Sequence, residues 1–441
     1  MAKDLYSIAK KKGIKYFLIS FVDFFGVMRS KLVPYQAIKD MQKDGAGFGG
    51  FSTWLDMTPA DPDMFALPDP DSLTILPWKK EVAWLASDLY MNGKPVKASP
   101  RVILRNQIKE LAKKKLQVKS GVECEFFLLT EDGRSVADPK DIQSKPSYDQ
   151  TALMRRYDLI KEICDSMIEL GWAPYQNDHE DGNGQFEMNW DYTDSLETAD
   201  RHLFFKFMVK SLAEKHGLRA TFMPKPFHNL TGNGCHSHVS VWHKKDNKFL
   251  DKKDKLGLSS LAYNFLGGIL ENARGLCALF NPTINSYRRI NAIPTQSGAT
   301  WSPNTISYTG NNRTHMIRIP DKGRFELRLM DGSANPYLMQ AGIIAAGIDG
   351  INKKTNPGEP LDCNMYEDFE KYPHLPKLPN TIEEAITCLK ENKMINKAFG
   401  EDVIKSYIKL RSIELNEFNK TEKLDKSKPV SDWERKNTLD C

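Results

Sequence analysis

No apolar run in this sequence is long enough to cross a membrane. The longest, around Ala341–Ile351, is short and interrupted, whereas a spanning helix needs about 20 apolar residues. The opening residues, MAKDLYSIAKKKGIKYFLISF, lack the apolar core and cleavage site of a secretory signal. No CxxC pair occurs among the seven cysteines. Scattered and odd in number, they read as reduced thiols, and the cytoplasm is the expected location. Charge of neither sign dominates: 62 basic against 57 acidic residues leave a net +5, which makes no case for nucleic acid or a membrane surface as a partner. There is no internal repeat, no low-complexity tract, no Walker A loop and no kinase signature. What is present is an ordinary globular composition, with 40% hydrophobic and 27% charged residues in 441, long enough for about two or three domains.

Residues 14–33 alternate in strand fashion around a turn at Gly26. A glycine-dense loop over 44–53 and a Pro/Asp-rich stretch over 59–77 follow. Together these predict a small α+β N-terminal domain over residues 1–98. The second domain, 99–441, opens with an amphipathic helix over 101–116 and a strand over 118–129. The pattern then predicts a helix over 150–171, a strand–loop–strand over 173–190 and helices over 198–216, 258–280 and 337–351. A charged helical tail covers 380–420, and the last residues are expected to be loosely ordered.

The chemistry concentrates in TFMPKPFHNLTGNGCHSHVS, residues 221–240. Residues two apart on a strand share a face, so His236, His238 and Ser240 project together beside a Gly-Asn-Gly loop that admits a ligand to the backbone. Four further segments can complete a site. In Gly121-Val-Glu-Cys-Glu-Phe-Phe, Glu123 and Glu125 alternate with apolar residues. Adjacent carboxylates repel and need a cation or solvent, and the apolar flank Phe126–Leu129 favours a buried cation over a solvated surface strand. Residues 177–190 offer His179, Glu180, Asp181 and Glu187 around a Gly/Asn turn. The turn alone is an ordinary hairpin signal, but it leaves Glu187 unexplained between Phe186 and Met188. Arg324, Glu326 and Arg328 share one strand face, which taken alone is equally well a surface salt-bridge ladder. Finally, residues 272–320 contain Arg274, Arg288, Arg289, Arg313 and Arg318 and no Asp or Glu. Such arginines suit carboxylate or phosphate recognition, or pair with acids distant in sequence. Carboxylates with one imidazole suit Mg²⁺ or Mn²⁺ and not structural Zn²⁺. With several arginines, that is equipment for phosphoryl transfer.

In order along the chain, Gly-x-Glu-x-Glu at 121–125, His-Glu…Gly-Gln-x-Glu at 179–187, Lys-Pro…Gly-Asn-Gly-x-His-x-His-x-Ser at 225–240, Asn-Pro-Thr-x-Asn-Ser-Tyr-Arg-Arg at 281–289, Asn-Arg…Arg-Ile-Pro at 312–320 and Arg-x-Glu-x-Arg…Asn-Pro-Tyr at 324–337 resemble the glutamine synthetases over nearly the whole length. The nearest likeness is to bacterial type III enzymes and to γ-glutamylmethylamide synthetases. The resemblance implies an α+β fold, with a small β-grasp-like N-terminal domain and a catalytic domain on a curved antiparallel sheet. It implies that ATP phosphorylates the γ-carboxylate of L-glutamate and that an amine then displaces phosphate. Glu125, Glu180 and Glu187 would hold one divalent metal, Mg²⁺ or Mn²⁺, and Glu123, His236 and Glu326 the other. Gly232, Arg289 and Arg328 would bind glutamate, and His238, Ser240, Arg318 and Arg324 would lie on the ATP side. Arg289, Arg313, Arg318 and Glu326 would carry the catalytic roles. A homo-oligomer is implied, a dodecamer of two hexameric rings with sites between subunits.

Two departures from type I enzymes bear on the amine. Residues 45–54, where those enzymes have an ammonium-binding Asp, contain no acid, and neither do residues 290–312, where they have a flap Glu. The adenylylation loop is also missing. Ammonia is placed first as the amine and methylamine second, with a larger amine such as putrescine and a non-catalytic structural role as further alternatives.

Overall fold

The computed structural model describes residues 3–295 and 297–441. Three sheets organise the chain. The first is seven-stranded, with the path Met28–Pro34, Tyr16–Val22, Val82–Met91, Met64–Pro68, Ala46–Phe48 and two short strands off it. The hairpin at its edge turns at Gly26, whose φ of +81° lies in the left-handed region. The second sheet is four-stranded, in the order Pro174–His179, Gln185–Trp190, Phe126–Leu129, Arg219–Thr221. The third runs Thr193–Asp194, Gln117–Cys124, Cys235–His243, Phe325–Leu327, Ile317–Arg318, Tyr308–Thr309. The fold is the expected mixture of curved, largely antiparallel sheets and helices.

The strand expected over 118–129 is instead two strands in two sheets. Gln117–Cys124 belongs to the third and Phe126–Leu129 to the second. Glu125 sits at the break, its N–H donating to Gly234 O at 3.2 Å. Both halves bury apolar residues, so neither sheet is two-sided polar, and the acidic residue falls at the seam between them.

Ala341–Ile351 is core. The Pro336–Lys353 helix packs against Ser260–Phe280, Pro100–Ala112 and Ser195–Lys215. Its crossing with Ser260–Phe280 is so close that a Cβ on Gly268 would lie 2.1 Å from Ala346 O, and only glycine fits. Among the described residues no helix is long and apolar enough to cross a membrane.

Three expectations need correction. The 150–171 helix is two helices, Gln150–Arg155 and Tyr157–Glu169, broken at Arg156 (φ −113°, ψ 13°). The tail helix is three, Ile382–Glu391, Lys393–Phe399 and Glu401–Thr421, with Asn392 capping the second and Gly400 (φ 99°) separating the third. The final residues are not loose. Ser431 and Glu434 form a capping box for Asp432–Thr438, and Glu434 is 1% exposed against the Arg288 guanidinium.

A candidate metal and phosphate site at the seam of two sheets

Antiparallel register sets His236 directly opposite Glu123, and His238 opposite Glu326. The result is a compact group in which Glu123, His236 and Glu326 each offer a ligand atom within 4.8 Å of the others. His236 Nδ1 lies 3.4 Å from Glu123 Oε2 and 3.5 Å from Glu326 Oε1. Its Nε2 is buried with no hydrogen-bond partner and points toward Glu125 Oε1 at 3.9 Å.

The second sheet supplies the rest. Glu187 stands opposite Asp178 in the hairpin, and Glu180 follows the first hairpin strand, its N–H donating to Gln185 O at 2.9 Å. Glu187 belongs to two ligand groups, one with Glu125 and His236 and one with Asp178 and Glu180. The expected trio of Glu125, Glu180 and Glu187 is therefore bridged by Glu187 and enlarged by Asp178. Asp178 did not stand out in the sequence. Its signal was the spacing 178, 180, which puts both acids on one face while His179 points the other way. His179 turns from the cluster, its Nε2 bonding Asp141 Oδ2 at 2.6 Å and its Nδ1 the Glu180 carbonyl at 2.8 Å.

The charges divide into two halves. Burial raises the Glu123 carboxyl, but His238 and His236 outweigh it and hold it well below the usual range. Burial likewise opposes ionisation of Glu326, yet Arg328 and His236 bring it down to about 2. Arg318 Nη1 donates to Glu326 Oε2 at 2.8 Å and Arg328 donates to Oε1. Of the ladder considered for Arg324, Glu326 and Arg328, only Glu326 and Arg328 pair, buried and joined by Arg318, while half-buried Arg324 turns to His238. On the other side, burial pushes Glu180 and Glu187 well above the ordinary carboxylate range, reinforced by Glu125 and Asp178 for the first and by Glu123 for the second. Asp178 rises to about 6, from burial and then Glu125. This half has several carboxylates that pair with no Lys or Arg among the described residues, which is the donor set a hard divalent ion fits.

A carboxyl whose folded pKa is raised stabilises the fold below its unfolded value near 4.5, and that contribution is lost as pH rises through the folded value. The metal-free chain should lose melting temperature as pH rises above 4.5 on account of Glu180 and Glu187. Saturating Mg²⁺ should remove that loss, since a cation replaces the protons. Melting with EDTA and with Mg²⁺ across this range should show a widening gap, and a constant gap would defeat the assignment.

Arginines and glycines wall the site. Arg289 is 2% exposed and donates to Leu329 O at 3.1 Å and Arg328 O at 3.2 Å. It makes no ion pair among the described residues, which suits it to an incoming carboxylate. Gly232 lies against it: a Cβ there would sit 3.2 Å from Arg289 Cγ. Arg313 is close enough to Arg318 to lower it, after burial and against Glu326. Arg274 and Arg288 belong elsewhere, pairing with Glu384 and Glu434, as the plainer reading of that segment allowed. Gln185 ties the parts together, its Nε2 donating to Glu125 Oε2, Gly232 O and Asn233 Oδ1 at 2.9–3.1 Å.

Beyond Glu123 a cavity of about 370 Å³ opens, lined among others by Tyr175, His238, Ser240, Trp242 and Arg324. His238 Nε2 is 2.7 Å from Glu123 Oε1, and Arg324 donates to its Nδ1. Ser240 accepts from Trp242 Nε1 at 2.8 Å.

Comparison with known proteins matches this architecture. Residues 97–436 fit the family model "Glutamine synthetase, catalytic domain". A protein of Rhizobium leguminosarum bv. phaseoli called glutamine synthetase is 56% identical over 442 residues, covering all of both chains. A glutamate–methylamine ligase of Methyloversatilis universalis is 41% identical over 434 residues, with 96% of each chain covered. A solved structure of GmaS in complex with ADP superposes with TM-score 0.92 at 56% identity, covering 99% of this chain and 100% of that one. The molecule is an enzyme, a ligase that forms carbon–nitrogen bonds. More particularly, the chain belongs to the glutamine synthetase family.

Proposed function

We propose that this enzyme joins the γ-carboxylate of L-glutamate to methylamine at the expense of ATP, with ammonia as the second reading. The observation that carries the choice of amine is the absence of acids from residues 45–54 and 290–312, with Phe51 60% exposed on the first of these loops. An uncharged, partly aromatic approach suits a methyl group better than bare ammonium. The GmaS likeness supports it, while the Rhizobium relatives support ammonia.

A carboxylate is a poor acyl donor, so its oxygen first takes the γ-phosphoryl group and ADP leaves. The amine lone pair then attacks the acyl carbon, phosphate departs with the bonding pair, and the amine gives up a proton. Arg289 and Arg328 hold the glutamate carboxylates beside Gly232. Arg313 and Arg318 face the transferring phosphoryl group, and Glu326 orients both Arg318 and Arg328. His238, Ser240 and Arg324 line the nucleotide side. Mg²⁺ or Mn²⁺, held by Glu125, Glu180 and Glu187 and by Glu123, His236 and Glu326, would neutralise phosphate charge.

The same reading places residues 1–98 in an N-terminal domain carrying the first sheet and 99–441 in the catalytic domain. It assigns the enzyme to the cytoplasm, as its reduced thiols fit. It also makes it a ring-forming homo-oligomer, a dodecamer, in which exposed Phe51, Ile142 and Tyr148 meet neighbouring copies. Phosphate release with glutamate, ATP and each amine tests the proposal. Higher kcat/KM with methylamine is expected. Higher kcat/KM with ammonia establishes the second reading, and no ADP formation with any small amine, putrescine included, rejects both.

A further inference from the structure

Asp181 stands next to Glu180 yet points out of the carboxylate cluster. Its side chain is a meeting point of three segments distant in sequence. Oδ1 accepts from Ser147 Oγ at 3.1 Å. Oδ2 accepts from Thr231 Oγ1 at 2.8 Å, from Trp301 Nε1 at 2.7 Å and from Ser297 Oγ. The carboxylate is 8% exposed, and it makes no ion pair among the described residues. Its partners are all neutral donors, so the negative charge is held by hydrogen bonds alone.

Each segment it gathers borders the reacting groups. Thr231 precedes Gly232, and its hydroxyl also contacts Thr295 Oγ1 at 3.4 Å. Ser297 of segment 297–301 contacts the same Thr295 hydroxyl at 3.3 Å, which sets that segment beside the Thr231–Gly232 turn. Ser147 precedes Tyr148, which feels Glu180 and Glu187.

Backbone strain gathers at the same place. Trp301 has φ +52° and Tyr148 φ +65°. Bulky side chains rarely occupy the left-handed region, and each such residue costs about 1–3 kcal/mol, which persists only where the surroundings over-determine it. Asp181 is hydrogen-bonded to Trp301 itself and to Ser147, the neighbour of Tyr148. An acid-free segment bearing hydroxyl and indole donors thus folds onto an acid borrowed from the metal hairpin.

We infer that Asp181 is the positioning residue that fastens segment 297–301 over the acyl side of the site, and that this fastening decides whether amine or water takes the acyl group. The inference rests on the acyl-phosphate reading above. When the segment is fastened, water is excluded, the amine attacks, and one amide forms per phosphate released. When it is loose, water attacks the same carbon, phosphate leaves, a proton goes to solvent and glutamate is regenerated, so ATP is spent without amide.

The test measures phosphate and γ-glutamyl amide together in the full-length enzyme with Mg²⁺, ATP, glutamate and methylamine. Wild type should give about one amide per phosphate. Asp181→Asn keeps the shape but weakens every acceptor bond. It should raise phosphate over amide several-fold and raise KM for the amine about 10-fold, with KM for glutamate within about 2-fold. Trp301→Phe removes one donor and keeps the ring, so it should shift the ratio the same way and less. The double variant should be no worse than Asp181→Asn alone, because the two share one interaction. Should Asp181→Asn fail to fold, Trp301→Phe still decides. An unchanged ratio and amine KM, even with a uniform loss of kcat, overturns the inference. Phosphate release without amide in the wild type, with methylamine and with ammonia alike, overturns the ligase reading instead.

Discussion

Glu326→Gln should lower kcat by at least about 10³-fold at saturating Mg²⁺, while the protein stays folded. Glu326 is fully buried and does three things at once. Its Oε1 lies 3.5 Å from His236 Nδ1, it accepts from Arg318, and it accepts from Arg328. Glutamine preserves volume and one acceptor oxygen, so no cavity forms. It removes the charge that fixes both guanidiniums, and breaking a buried pair costs about 3–5 kcal/mol. Because the carboxyl is held at about 2, its stabilising contribution is full above the unfolded value near 4.5 and is lost only as pH falls through about 2. The variant should therefore melt lower than wild type at neutral pH, and the difference should shrink toward strong acid. Steady-state kinetics beside thermal melts separate the two effects. A folded variant that keeps its activity at saturating Mg²⁺ rules out the assigned role.

Gly232→Ala should raise KM for glutamate and lower kcat/KM by about 10²-fold. The added Cβ would lie 2.5 Å from Pro224 O, a backbone atom with little freedom, and 3.2 Å from Arg289 Cγ. Asn233 N donates to the same Pro224 carbonyl at 2.8 Å, so relief requires moving the 231–234 loop or the arginine. Overpacking of this kind costs about 1–3 kcal/mol, and a displacement of about 1 Å at a substrate-positioning group can cost 10²-fold in rate. The proposed nucleotide side is the cavity beyond Glu123, so KM for ATP should change little. An equal rise in KM for ATP and glutamate would show general damage instead.

The clustering of Glu123, His236 and Glu326 was legible because strand alternation and cross-strand register are local regularities, and all three sit on antiparallel neighbours. Asp178 was missed because His179 and Glu180 beside it carry the conspicuous chemistry, and only the hairpin register shows Asp178 opposite Glu187. The strand break at Glu125 was not legible either, since the residues on both sides are equally apolar and nothing local announces a change of sheet. The partner of Arg288 lies 146 residues away, a separation over which composition carries no information. The same contact explains why the last helix is ordered when its own sequence looks like a fraying end.

The seam at Glu125 has a mechanical side. The chain passes between the sheet carrying Glu123, His236 and Glu326 and the sheet carrying Glu187 and Asp178 through the single residue Glu125, and again through the two residues between Trp190 and Thr193. An ion held from both sides would act there as a rivet between two plates. Occupancy of the site and stiffness of the joint then become one property. Amides along 117–129 and 235–239 should exchange with solvent as a block, slowly when the rivet is in and together when it is drawn.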